Sequence, residues 1–241
     1  MEQRFFQRLS AELQNLVQEL EDFAGVEIEV RPKPTPTGET TAKSKAVALI
    51  SSEKGATLLC RSEDHFTTQA VLHELLHLRR YWIDFVPQLV PIDDRGGDKT
   101  KIANEIDNAL EHLAIFPQEA EYGFEPYADL NRAARTLWES YPWNEITEPW
   151  ARRKSCLLAW LTTVCLVTDD AVKTLARDCL EKEGLLDEAE NFSDKIRQLH
   201  DSKERSIGTA VRFLQIPHDE AEMIYFDVKQ KKRVKKPIPP H

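Results

Sequence analysis

The stretch AVLHELLHLRR, residues 70–80, sets His73, Glu74 and His77 among Val71, Leu72, Leu75, Leu76 and Leu78. Residues four apart on an α-helix project from one face, so His73 and His77 can grip one metal ion without distorting the backbone. Two imidazoles at this spacing suit Zn2+, with a third protein ligand and a water completing a tetrahedral site. Glu74 lies roughly 100° round the helix from His73. It therefore reaches the water rather than the metal, and takes a proton from it as general base. The apolar neighbours require this helix to be largely buried. Burying two imidazoles and a carboxylate without partners is expensive, which weighs against three incidental polar residues.

A third ligand has to come from another element, and the one to inspect is KIANEIDNALEHLAIFP, in a helix expected from about Lys99 to Phe116 and stopped by Pro117. Its apolar face is Ile102, Ile106, Ala109, Leu110 and Leu113. The opposite face carries Asn104, Asp107, Asn108 and Glu111, with Glu105 and His112 on the boundary between the two. A plain solvated face accounts well for Asp107 and Glu111. It accounts less well for Glu105 and His112, which would be half-buried.

Upstream, residues 3–24 read as one amphipathic helix, with Phe5, Leu9, Leu13, Leu16, Val17 and Leu20 at three- and four-residue steps. VEIEV (26–30) alternates as a strand does. RPKPTPTGETTAKS reads as an exposed loop, and AVALISS and ATLLCRS flank EKG as a β-hairpin. The motif helix spans about Phe66–Trp82, and VPQLVPIDDRGGD reads as turns. Beyond Pro117 the pattern is helical at 127–140, 146–167, 169–183, 185–202 and 203–213, and then MIYFDV (223–228) is strand-like. The expected fold is α+β and mainly helical: a small β-sheet with its hairpin packed on the motif helix, plus a C-terminal helical half. The expected division is a core at 1–120, a helical subdomain at 121–228 and a basic, proline-rich tail at 229–241.

HELLH resembles the signature of the zincin metallopeptidases, and the order strand, hairpin, motif helix, second helix resembles their shared core over about residues 26–117. The resemblance implies a zinc peptidase with His73 and His77 as ligands and Glu74 as general base. A further His shortly after the motif, as in metzincins, is absent from HLRRYWIDF. NEID with Asn108 is similar to the gluzincin helix that supplies a Glu, which implies Glu105 as third ligand. Glu111 is its strongest competitor and His112 the next. The same helix, ending in LAIFP, also resembles that of repressor-cleaving and radiation-response metallopeptidases, although the spacing from Glu105 to Asn108 differs from theirs by a residue. With Glu105 on the metal, His112 would orient a ligand or stabilise the oxyanion.

The remaining chemistry is sparse. His65 is expected near the cap of the motif helix. His200 and His218 have no partner at ligand spacing, and Trp138, Trp143, Trp150 and Trp160 are expected to pack the helical half. Cys60, Cys156, Cys165 and Cys179 form no CxxC pair and read as reduced, buried thiols. A net charge of −9 argues against general nucleic-acid binding. The basic run Lys229–Lys236 reads as a solvated tail, the alternative being a site for an anionic partner. No apolar run has signal-peptide or membrane-spanning character, so a cytoplasmic location without membrane contact is expected.

Two functions compete at this level. One is hydrolysis of a protein or peptide substrate, either general or directed at one dedicated regulatory target. The other is a non-catalytic, metal-stabilised sensor or interaction domain. Glu74 separates them, because a purely structural site has no use for an acid in that position.

Overall fold

A computed structural model describes residues 1–33, 47–92, 98–140, 146, 148–199, 201–217 and 220–239, with the backbone alone for 98–101. Most of the loop expected at 31–44, together with His200, His218 and Trp143, lies outside the described residues. The fold is α+β and mainly helical, with two small three-stranded sheets among the described residues. The chain forms two compact units, Met1–Gln88 with Ile224–Lys235, and Leu89–Met223 with Lys236–His241. The second helix of the sequence reading therefore lies with the helical half rather than in a core running to residue 120. No described helix is long and apolar enough to cross a membrane.

In the first unit the N-terminal helical stretch is broken into α1 (Gln3–Phe6) and α2 (Ala11–Ala24). The break has a local cause: the Ser10 side chain accepts the Leu13 N–H at 3.5 Å and caps a new helix. Gly25 ends α2 in the left-handed region at φ 65°, a conformation that glycine adopts without penalty. Strands β1 (Glu29–Pro32), β2 (Val47–Ser52) and β3 (Gly55–Cys60) form a sheet in the order β1-β3-β2. β2 and β3 make the expected antiparallel hairpin, while β1 runs parallel to β3 with Val30 opposite Leu58. Alternation along β3 buries Ala56, Leu58 and Cys60. Helix α3 (Thr68–Trp82) packs on β2, β3 and α2, and its Trp82 Nε1 donates to Ser52 O at 3.3 Å.

The basic side chains are exposed, as expected, but part of the run is strand rather than tail. Lys232–Lys236 form strand β6, which lies beside β5 (Ala221–Asp227), and β4 (Gln88–Pro91) completes the order β4-β5-β6. Two of its cations have nearby acidic partners: Arg233 Nε is 3.3 Å from Glu53, and Lys236 Nζ is 3.4 Å from Glu204. Lys229 lies over the Phe23 ring at 4.0 Å.

The second unit is built round α6 (Pro149–Leu166), which packs on α4 (Asp98–Glu121), α5 (Pro126–Ser140), α7 (Asp170–Lys182) and α8 (Leu186–Gln198). α6 is apolar on most sides, burying Cys156, Leu157, Leu158, Trp160, Leu161 and Leu166, so it takes the centre. Helix α9 (Lys203–Phe213) packs on α4 and α8. Trp138 and Trp160 pack this half as expected, each 2% exposed. Pro117 does not stop α4, which continues to Glu121. A proline removes one N–H from the ladder, but Pro117 is exposed, and burial of Ile115 and Glu119 on either side of it holds the helix together.

Candidate metal centre

The motif helix starts where Thr67 caps it, the side chain accepting the Ala70 N–H at 3.3 Å. His65 lies just upstream in a 3-10 turn, with Nδ1 2.6 Å from Ser62 Oγ. The burial that the apolar neighbours require is observed. Val71, Leu72, Leu75, Leu76 and Leu78 are fully buried, and they take Glu74 (5% exposed) and His77 (4%) in with them. His73 is half-buried, on the accessible side of the same face.

Helix geometry brings the two imidazoles together. The His73 and His77 rings are edge to face with centroids 4.9 Å apart, and one ring nitrogen from each lies within 4.8 Å of the other. Two Zn–N bonds of about 2.0–2.1 Å at a tetrahedral angle need nitrogens roughly 3.4 Å apart, a distance that small χ rotations reach. Behind them His77 stacks on Tyr81 at 6.1 Å, and Tyr81 meets Phe226 edge-on at 6.2 Å. This aromatic backing restrains the His77 ring. The donor set and its helical placement fit a divalent cation of the zinc type.

On α4, in the other unit, the expected solvated face is a buried ionic cluster. Glu111 is 0% exposed and Asp107 3%, and Lys203 Nζ is 2.8 Å from a carboxylate oxygen of each. Asp107 Oδ1 also accepts the Leu89 N–H at 2.8 Å. Burial pushes the Asp107 carboxyl above its ordinary range; Lys203 pulls it back down and the like charge of Glu111 adds to the rise. The sequence reading missed Lys203. It sits in the first turn of α9, capped by Ser202, where a lysine looks like ordinary surface, and no spacing marks it as the partner of two acids ninety residues upstream.

The boundary residues are half-buried as expected. Glu105 is 3.5 Å from the Lys154 ammonium, and the His112 ring stacks on Phe116 at 4.9 Å. Glu105, Asn108 and His112 line one wall of a cavity of about 570 Å³ whose other walls are α5 and α6.

The four thiols are free, with Cys60 and Cys156 buried. Desolvation is the main cause that pushes Cys156 up to about 12 and Cys165 up to about 11, so neither is a nucleophile at neutral pH. No family model, curated protein or solved structure matches the chain.

Proposed function

We propose that the protein is a zinc-dependent peptidase in which His73 and His77 hold the metal and Glu74 is the general base. The observation carrying this is the pair of imidazoles on one face of a buried helix turn with a buried carboxylate next in sequence. When bound, zinc polarises the scissile carbonyl and acidifies the attacking water. The Glu74 carboxylate accepts the proton of that water and hands it to the departing amine nitrogen. Tyr81, stacked on His77, holds the ligand ring in orientation.

A third protein donor completes the proposed site, with Glu105, Glu111 and His112 as the candidates. Two of them already have a cation beside them: Glu111 Oε1 is 2.8 Å from the buried Lys203 ammonium, and Glu105 is 3.5 Å from that of Lys154.

The substrate is a protein or peptide in extended form. Strand β3 is the central strand of its sheet and has no edge to offer. β2 has no second strand partner among the described residues, and its Ile50 is 57% exposed. A substrate strand therefore adds to β2.

The deciding experiment measures zinc by elemental analysis and hydrolysis of a peptide library in the wild type, His73→Ala, His77→Ala and Glu74→Gln. Zinc is lost in both histidine variants, whereas Glu74→Gln keeps it and loses turnover. A wild-type protein that takes up no zinc sinks the reading. Zinc retained with undiminished turnover in Glu74→Gln sinks the role of Glu74.

A further inference from the structure

The cavity between α4, α5 and α6 lies wholly within the helical unit. Its volume, about 570 Å³, falls in the range of small-molecule sites, roughly 300–1,000 Å³. The space exists because the facing residues are short: Ala134 on α5, Ala109 on α4 and Ala159 on α6 leave room that Leu130, Leu137 and Leu158 do not fill. The walls are mostly apolar, and hydrogen-bonding groups come from Asn108 and His112 on α4 and Ser155, Thr162 and Thr163 on α6. Glu105 is the charged lining residue, and it is already paired with the buried Lys154 ammonium. The lining therefore carries little net charge, and moving an ion from water onto these apolar walls would be costly.

We propose that this cavity is a binding site for a neutral small amphiphile, with an apolar aromatic or aliphatic body against the leucines and a hydrogen-bonding head toward Asn108. The body buries apolar area on three helices at once. The head replaces water at a polar group that does not need a counter-ion. Binding of such a ligand is independent of the zinc reading.

The test uses phenylnaphthylamine, a neutral fluorophore with an aromatic body and one N–H, titrated into full-length protein stripped of metal by a chelator. Saturable fluorescence gain at one probe per chain is expected. Ala159→Phe and Thr162→Leu, both at half-buried positions, should fill the cavity and weaken binding by about tenfold or more. Ala128→Phe, on the exposed side of α5, should leave it unchanged. The charged relative anilinonaphthalene sulfonate should bind at least about tenfold more weakly. Non-saturable binding, equal or tighter binding of the sulfonate, or wild-type affinity in both well-folded filling variants overturns the proposal. If the filling variants lose their helical circular dichroism, nuclear Overhauser contacts decide in the wild type. Contacts from the probe to the Leu137 and Leu158 methyls support the site, and contacts elsewhere overturn it.

Discussion

Lys203 Nζ lies 2.8 Å from Glu111 Oε1, the cation 8% exposed as a residue and the acid fully buried. The same ammonium meets Asp107 at 2.8 Å, so a single positive charge serves two carboxylates and joins α9 to α4. Removing one partner of a buried ionic cluster strands the others, which costs about 3–5 kcal/mol. Lys203→Met should lower stability by that order, seen as a fall in the urea midpoint at neutral pH. A midpoint unchanged from the wild type would show that the cluster contributes nothing to holding α9.

Asp107 gives this cluster a pH signature. Its carboxyl is raised above the ordinary value of 3.8, chiefly by desolvation, with Lys203 opposing and Glu111 adding. A carboxyl raised in the folded state holds more protons folded than unfolded. Its contribution to stability is complete below the unfolded value and is lost as pH rises through the folded value. Asp107→Asn cannot titrate, so its stability relative to the wild type should improve as pH rises above the ordinary carboxyl value of 3.8. Urea denaturation of both proteins across that range measures the difference. A trend of the opposite sign contradicts the burial argument.

How legible this was depended on whether a local pattern carried the information. Helix α3 could be read because apolar residues on almost every side of the i, i+4 histidines need no knowledge of other elements. The β2–β3 hairpin could be read from its alternation and its Gly55 turn. The four residues of β4 are too short to show alternation, and the basic residues of β6 hide its strand periodicity behind charge. The buried state of Asp107 and Glu111 was illegible because it depends on Lys203, on an element that pairing alone brings near. Their helical positions were correct, and the environment came from tertiary structure. Which strand of the sheet stood in the middle also lay beyond pattern, since β1 joins β3 across a long intervening segment.

Ser193 carries a second buried polar contact that is simple to test. Trp160 Nε1 donates to Ser193 Oγ at 3.2 Å, and the hydroxyl donates onward to Glu190 O at 3.0 Å. Both side chains are within 2% of full burial. Ser193→Ala removes the acceptor and leaves the indole N–H in the core, at about 1–3 kcal/mol. Chemical denaturation should show that loss, with the helical circular dichroism of the folded state unchanged. A loss near zero would mean that water reaches the indole.

The thiols should behave as packing groups. Cys156 is pushed up to about 12 and Cys165 up to about 11, both mainly by desolvation, while burial also raises Cys60 and Cys179. At pH 8 little thiolate exists at any of them, and the thiolate is the reacting species. Labelling of the native protein with an aromatic disulfide reagent should therefore be slow, and all four thiols should react promptly once the chain is unfolded. Rapid native labelling of Cys156 would show that the helical unit opens far more often than its buried contacts imply.

His77 stacks on Tyr81 at 6.1 Å, and zinc affinity separates a ligand from the ring that backs it. Losing a group that merely supports a ligand weakens metal affinity by roughly 10–100-fold, so losing the ligand itself should exceed about 100-fold. His73→Ala and His77→Ala should each pass that mark, with affinity read by competition against a fluorescent chelator. His77→Cys should recover part of it, since a thiolate is also a zinc donor. Tyr81→Leu should fall in the smaller range, because it removes the ring behind His77 and leaves the donor. Glu105→Gln, Glu111→Gln and His112→Ala, measured alongside, identify the third donor as the one whose loss matches that of the two histidines. Affinity unchanged in His73→Ala or His77→Ala would remove that residue from the site.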